Sequence, residues 1–297
     1  MLLALGPAAF AETLGPCPEM PRVERHYILS ARVRPLLFWI RRDNVGAGQI
    51  TWTNEADGRL GLELLIGSDP ERVPMGINRW GYIGEFRDGD VVNVVGVMTQ
   101  SDEGTIEEAR RKEENREKQG NSYRALRTRI RNGVSSTEIF YTQFPGSVTY
   151  RALGQVREKI DGGAGRLRDA AVPENAEHGF LQAVASLVRE SVVVYRSHGL
   201  PVHPLGRVYV YASMVYQVTI QSSKVNPRFL LDGIPHNILE SDFEVRNRAT
   251  GRTSRFRMWY GTGHPVGETP VRVVFRPHWW LEAELNLQGW SACGPAE

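Results

Sequence analysis

Apolar residues in this chain recur at every second position, in short stretches repeated along its length. Leu60, Leu62, Leu64 and Ile66 alternate with Arg59, Gly61, Glu63 and Leu65. Met214, Tyr216, Val218 and Ile220 do the same, with Gln217, Thr219 and Gln221 between them. Near the C-terminus Val271, Val273, Phe275, Trp279, Leu281, Ala283, Leu285 and Leu287 fall on one parity, with Pro277 expected to divide two strands because it lacks a ladder donor. Period-2 spacing fits a strand with one face on a core and cannot serve a helix. Further strands are expected at Leu36–Ile40, Ile50–Trp52, Trp80–Phe86, Val91–Met98, Thr137–Phe144, Val148–Leu153 and Val208–Tyr211, separated by Gly, Pro and Asp turn signals.

A hairpin is expected over Asp242–Tyr260, turning at Thr250-Gly251. Pairing Ala249 with Arg252 sets Val245 opposite Phe256 and Phe243 opposite Met258 on the apolar side. Glu244 then faces Arg257, and Arg246 faces Arg255. A slip of one residue mixes the faces.

Two segments break the pattern. Residues 176–190 have the spacing of an amphipathic helix: Phe180, Val184, Leu187 and Ser191 share a face with Leu181 and Val188. Residues 101–133 read as a charged helical insertion, opened by the Thr105–Glu108 capping pattern and supported by the i,i+4 pairs Glu107/Arg111 and Glu108/Lys112. With no apolar residue between Ala109 and Gly120, this helix is expected to be exposed. Arg124, Arg127 and Arg131 would share a helix face, either solvated or anion-binding. About twelve strands against two or three helices predict a mainly β (α+β) fold: a large curved antiparallel sheet or open β-barrel with one packed helix.

The chain has 297 residues, 41% hydrophobic, with a net charge of +2, which excludes a disordered chain. The 34 acidic residues against 36 basic ones argue against nucleic acid as a partner. Only Lys112, Lys118, Lys159 and Lys224 are lysine, so the basic side chains are overwhelmingly the planar arginine fork. No apolar run is long enough for a transmembrane helix. Residues 1–11, MLLALGPAAFA, end in the small-x-small pattern Ala9-Phe10-Ala11 and read as a signal-peptide remnant, with one β-rich domain over 12–297. Periplasmic or secreted localisation follows as an expectation. In that compartment Cys17 and Cys293 could join in a disulfide; Pro16 spoils a lipobox at Cys17.

Catalytic signatures are missing. There is no Gly-x-Ser-x-Gly, no P-loop, no His-Glu-x-x-His and no Cys-x-x-Cys, so neither catalytic nor metal-binding residues are assigned and no cofactor is expected. Two constellations remain. Glu282 and Glu284 share a strand face with His278 and Trp280, as a glycan-directed hydrolase could use; the plainer reading is a solvent face. Arg246, Arg248, Arg255 and Arg257 crowd one hairpin face, as would suit a polyanion or an anionic envelope component.

Gly206–Tyr211 with Tyr216–Ile220, then Phe256–Tyr260, Thr269–Val273 and Leu281–Leu285, and near the N-terminus Phe38–Ile40 with Ile50–Trp52, resemble an uncharacterised bacterial family of exported proteins catalogued as a domain of unknown function. The resemblance covers about half of the chain. It implies a periplasmic β protein similar in outline to lipoprotein and lipid carriers, a half-barrel wrapped on a helix, with no catalytic residues to transfer. The reading carried forward is a non-enzymatic exported protein that binds a lipid-like or other apolar molecule.

Overall fold

The computed structural model describes residues 22–34, 38–54, 60–99, 103–119, 121–144, 165–201, 203–264 and 266–289. Among them fourteen strands form one antiparallel sheet that does not close on itself. In chain order they are β1 (Arg22–Val33), β2 (Ile40–Asn54), β3 (Leu60–Ser68), β4 (Trp80–Asp88), β5 (Val91–Met98), β6 (Asn121–Arg131), β7 (Val134–Phe144), β8 (Arg166–Ala171), β9 (Leu205–Tyr211), β10 (Met214–Leu231), β11 (Ile234–Asn247), β12 (Thr253–Gly261), β13 (Pro270–His278) and β14 (Leu281–Leu287). Two helices accompany them, α1 (Ile106–Gln119) and α2 (Phe180–His198). The expected mainly β, open-barrel architecture is therefore present.

The chain enters the sheet at its middle. β1 to β8 run outward as a meander in one direction, α2 crosses over, and β9 to β14 return until β14 pairs with β1. The free edges are thus β8 and β9, from the centre of the sequence. They lie close together: Ser213 Oγ donates to Arg168 O at 2.9 Å, and Glu177, just before α2, makes a parallel bridge to β9.

α2 folds because its apolar stripe meets the inner face of β9–β12. Ala183, Leu187, Val188 and Val192 are buried against Val218, Ile220, Leu239 and Phe243. Each of these side chains other than Ala183 contributes about 1.5–3 kcal/mol by burial. Ser191 sits within that stripe because its hydroxyl bonds Tyr260 OH at 2.7 Å; Ser241 Oγ also bonds Tyr260 at 2.7 Å, and Ser223 bonds Ser241 at 2.7 Å. The polar chain is paired throughout, which is the condition for tolerating it in a core. The outer face carries a second core, where Trp80, Tyr82, Val97, Tyr123, Ala125 and Phe140 are buried together.

Several expectations are corrected. The charged helix ends at Gln119, and residues 121–131 are strand β6, not part of a helical insertion. Arg124 and Arg127 consequently point to opposite faces, and Arg127 lies 5.7 Å over the Phe140 ring. α1 is anchored rather than projecting: Ile106 and Ala109 are buried with Val33, Ile77 and Trp280, and Arg79 bonds both Glu103 and Glu113. The capping pattern forms, with Glu108 N donating to Thr105 Oγ1 at 3.2 Å. Pro277 lies inside β13 at a register shift, and the strands separate at Trp279-Trp280. The hairpin register differs by two: Phe243 faces Phe256, Glu244 faces Arg255 and Asp242 faces Arg257. Asn247 causes this by accepting from Ala249 N (2.9 Å) and Thr250 N (3.0 Å), which builds a longer loop. The expected strand at 148–153, residues 1–11, Cys17 and Cys293 lie outside the described residues.

Candidate functional site

The inner face of the sheet is only half covered by α2. Over β9–β12 the helix seals it; over β1–β6 it does not. There Ile50, Leu62, Leu64, Ile66, Ile83 and Leu126 are only half-buried, although cross-strand register puts them all on the concave side. They border a cavity of about 1480 Å³ that α2 also borders, through Leu181, Val184 and Val188. Packed interiors leave few voids larger than a water molecule, and ordinary ligand pockets hold about 300–1,000 Å³. This space is on the scale of a ligand site, not of imperfect packing.

Glu85 of β4 fixes how α2 enters that space. Its carboxylate is fully buried, and its two oxygens accept from Leu181 N (2.8 Å) and Gln182 N (2.9 Å) at the helix N-terminus. Gly179 precedes the helix, and a Cβ there would come within 2.2 Å of the Glu85 carboxyl carbon. Burial pushes the Glu85 carboxyl up to about 7, opposed by the backbone donors of Leu181, Gln182 and Phe180 and reinforced by the charge of Glu177.

Among the described residues, the buried polar atoms of the cavity wall without a hydrogen-bond partner include the Tyr211 hydroxyl and Trp280 Nε1. Tyr211 reaches from β9 across to β5, where Gly96 makes room: a Cβ at Gly96 would lie 2.6 Å from the hydroxyl. Burial drives the Tyr211 hydroxyl far up, away from ionisation, with Glu85 and Tyr216 adding to the rise and Arg124 opposing it.

The residues singled out from sequence lie elsewhere. Glu282 and Glu284 do share a face, but it is the outer one, since Leu281, Ala283 and Leu285 line the cavity. Each is clasped by arginines: Glu282 by Arg32 (3.5 Å) and Arg276 (2.7 Å), Glu284 by Arg41 (3.5 Å) and Arg272 (3.0 Å). Burial works to raise the Glu284 carboxyl, but Asn286, Arg272 and Arg41 hold it below the ordinary range. A locked carboxylate of this kind is the opposite of a general acid. Trp280 does not join that face; it is buried near α1, and His278 stacks on it at 5.0 Å.

On the hairpin, the corrected register places Arg255 against Glu244 (2.7 Å) and Arg257 against Asp242 (2.7 Å), removing the expected Arg246–Arg255 repulsion. Arg246 faces Thr253, and Arg248 lies in the turn, both exposed. Two of the four arginines are therefore neutralised at contact distance. Among the described residues no group of three His, Cys, Asp or Glu side chains is placed to hold a metal ion. No helix among them is long and apolar enough to cross a membrane.

Glu85 and Tyr211 did not stand out in the sequence, whereas Arg124 did, as part of a solvated or anion-binding helix face with Arg127 and Arg131 that strand β6 does not form. The alternation around Leu62–Ile66 marked the cavity wall, but an apolar face looks the same whether it meets a core or a void.

No protein-family model matches the chain, nor does any curated protein. Among solved structures it is similar to the crystal structure of a β-barrel-like protein of domain of unknown function DUF1849 from Brucella abortus. The TM-score is 0.49 at 8% identity, over 91% of this chain and 98% of that one. That neighbour's domain is of unknown function, and it assigns no role to any residue of this chain.

Proposed function

We propose that this chain binds an apolar, lipid-like molecule between the concave face of its sheet and α2. The observation that carries the reading is the cavity of about 1480 Å³, walled by half-buried aliphatic side chains from β2–β6. Leaving so much apolar surface uncovered forgoes burial energy of roughly 25 cal/mol per Å², and an apolar occupant recovers it. Export to the periplasm or beyond belongs to the same proposal, supported by the Ala9-Phe10-Ala11 pattern; cell fractionation tests it. The hydrolase and polyanion readings have less support, because Glu282, Glu284, Arg255 and Arg257 are engaged in ion pairs, which leaves only Arg246 and Arg248 of the hairpin arginines outside them.

Organic extraction of the native purified protein, followed by mass spectrometry, is the direct test. Co-extracted lipid, or uptake of an apolar fluorophore that Ile83→Trp reduces by filling the space, is the expected result. A protein that releases no lipid and takes up no apolar probe would overturn the proposal.

A further inference from the structure

Five arginines contribute atoms to the cavity lining, Arg79, Arg124, Arg189, Arg255 and Arg276, against a single acidic residue, Glu268, and the head groups of Arg255 and Arg276 turn to carboxylates of the outer face. Four of the five have a carboxylate at hand. Arg79 pairs with Glu103 and Glu113, Arg189 with Glu268, Arg255 with Glu244 and Arg276 with Glu282. Arg124 alone has no carboxylate partner among the described residues. It is exposed and stands on the inner face of β6, opposite Tyr141 in the ladder and beside Gly96 of β5 through Leu126. Tyr211 enters the same corner over Gly96, and its hydroxyl is buried without a hydrogen-bond partner. The Arg124 charge is felt at that hydroxyl.

A buried hydroxyl left unpaired forfeits about 1–3 kcal/mol, and a planar guanidinium offers donors in a fork suited to carboxylate or phosphate oxygens. Both groups are donors, both border the cavity, and neither has an acceptor among the described residues. From this convergence we propose that the occupant is an amphiphile whose anionic head group, a carboxylate or a phosphate monoester, is held by the Arg124 guanidinium with the Tyr211 hydroxyl as second donor, its tail lying along the aliphatic wall. The inference rests on the apolar-cavity reading and adds the charge of the ligand and the end at which it is held.

Three probes with one tail separate the alternatives: dodecanoate, dodecyl phosphate and dodecanol, titrated against the full chain at a pH where both acids are ionised. At least one of the anions is expected to bind about tenfold or more tighter than dodecanol. Whichever anion leads identifies the head group as carboxylate or phosphate. Arg124→Met is expected to bring the anions down to the level of dodecanol while leaving dodecanol itself unchanged. Tyr211→Phe lowers the anions a few-fold by the same logic. Circular dichroism and thermal midpoints check that both variants fold, and the three-probe comparison on the unaltered chain decides even where a variant does not. Equal affinity of the unaltered chain for all three probes, or a preference that survives Arg124→Met, would overturn the head-group assignment and leave the apolar cavity standing. Binding of none of them would overturn both.

Discussion

Glu85 holds the first turn of α2 by two backbone hydrogen bonds, and it does so at a cost in solvation. Burial is the largest influence on its carboxyl and lifts it from 4.5 to about 7. Between those values the folded chain keeps a proton that the unfolded chain has released. Stability therefore falls as pH rises through that window, by on the order of 3 kcal/mol, and levels off above it. The groups packed around it are Glu177, whose charge adds to the rise, and the buried Tyr209 and Tyr211. His178 works in the other direction, because burial and Arg87 make it lose its proton more easily. The difference between the unaltered chain and Glu85→Gln isolates the effect. Chemical denaturation from about pH 4.5 to about pH 7 should show a decline in the former that is flattened in the variant. A slope unchanged by the substitution would mean that Glu85 is solvated in solution. Glu85 could not be read from sequence as a site residue, and Arg124 could be read as one only with the wrong companions. Glu85 acquires its role from a helix that begins far along the chain. Arg124 was grouped with Arg127 and Arg131 by a helical period that the strand does not have.

At the scale of elements, the periodicities were legible and their partners were not. The 3.6-residue spacing at Phe180–Ser191 locates α2, while the partner of the Ser191 hydroxyl, Tyr260, lies on a strand far along the chain. β1 is hard to read in the sequence because Arg25 interrupts its run of Val23, Tyr27, Leu29 and Val33. The tip of the β10–β11 hairpin was missed too, although Asp232-Gly233, at φ of 49° and 79°, makes the left-handed pair such turns favour. In the Asp242–Tyr260 hairpin the inner and outer faces were assigned correctly while the register was off by two. Alternation cannot distinguish registers two apart, and the Asn247 loop decides between them. The half-covered sheet leads to a contrast between two leucines of equal size. Leu187→Ala, under the sealed part of the sheet, should cost about 2–5 kcal/mol of unfolding free energy. Leu64→Ala, facing the cavity, should cost well under half as much, since its removal opens little new void. Equal costs in the ligand-free protein would show that the cavity closes in solution.

For the molecule as a whole, the pairing of β1 with β14 organises everything else. Tyr27 faces Leu287, and Gln288 N donates to His26 O at 2.8 Å, so the described chain begins and ends on neighbouring strands. Cys17 stands five residues before Arg22 and Cys293 four residues after Gly289. A bond between Cys17 and Cys293 is proposed on that ground, and closing so long a loop would restrict the unfolded chain by roughly 5–6 kcal/mol on the entropic model. Thiol titration of the native, oxidised protein should find no free cysteine, and titration after reduction in denaturant should find two. Equal counts in the two states would refute the bond. Nothing in the local sequence announces that the first strand and the last are neighbours, because each alternates as any strand does.

That arrangement has a consequence in time. A chain synthesised from its N-terminus can build β1 to β8 hairpin by hairpin, each strand finding its neighbour as it emerges. β1 is the exception. Its second partner is the last strand to be made, so one bare edge at the centre of the future sheet waits for nearly the whole of synthesis. Bare edges recruit other chains, and late long-range pairing is slow. A chain that stops before Leu281 therefore keeps both wings and loses the join between them, and its expected fate is aggregation rather than a smaller version of the same fold.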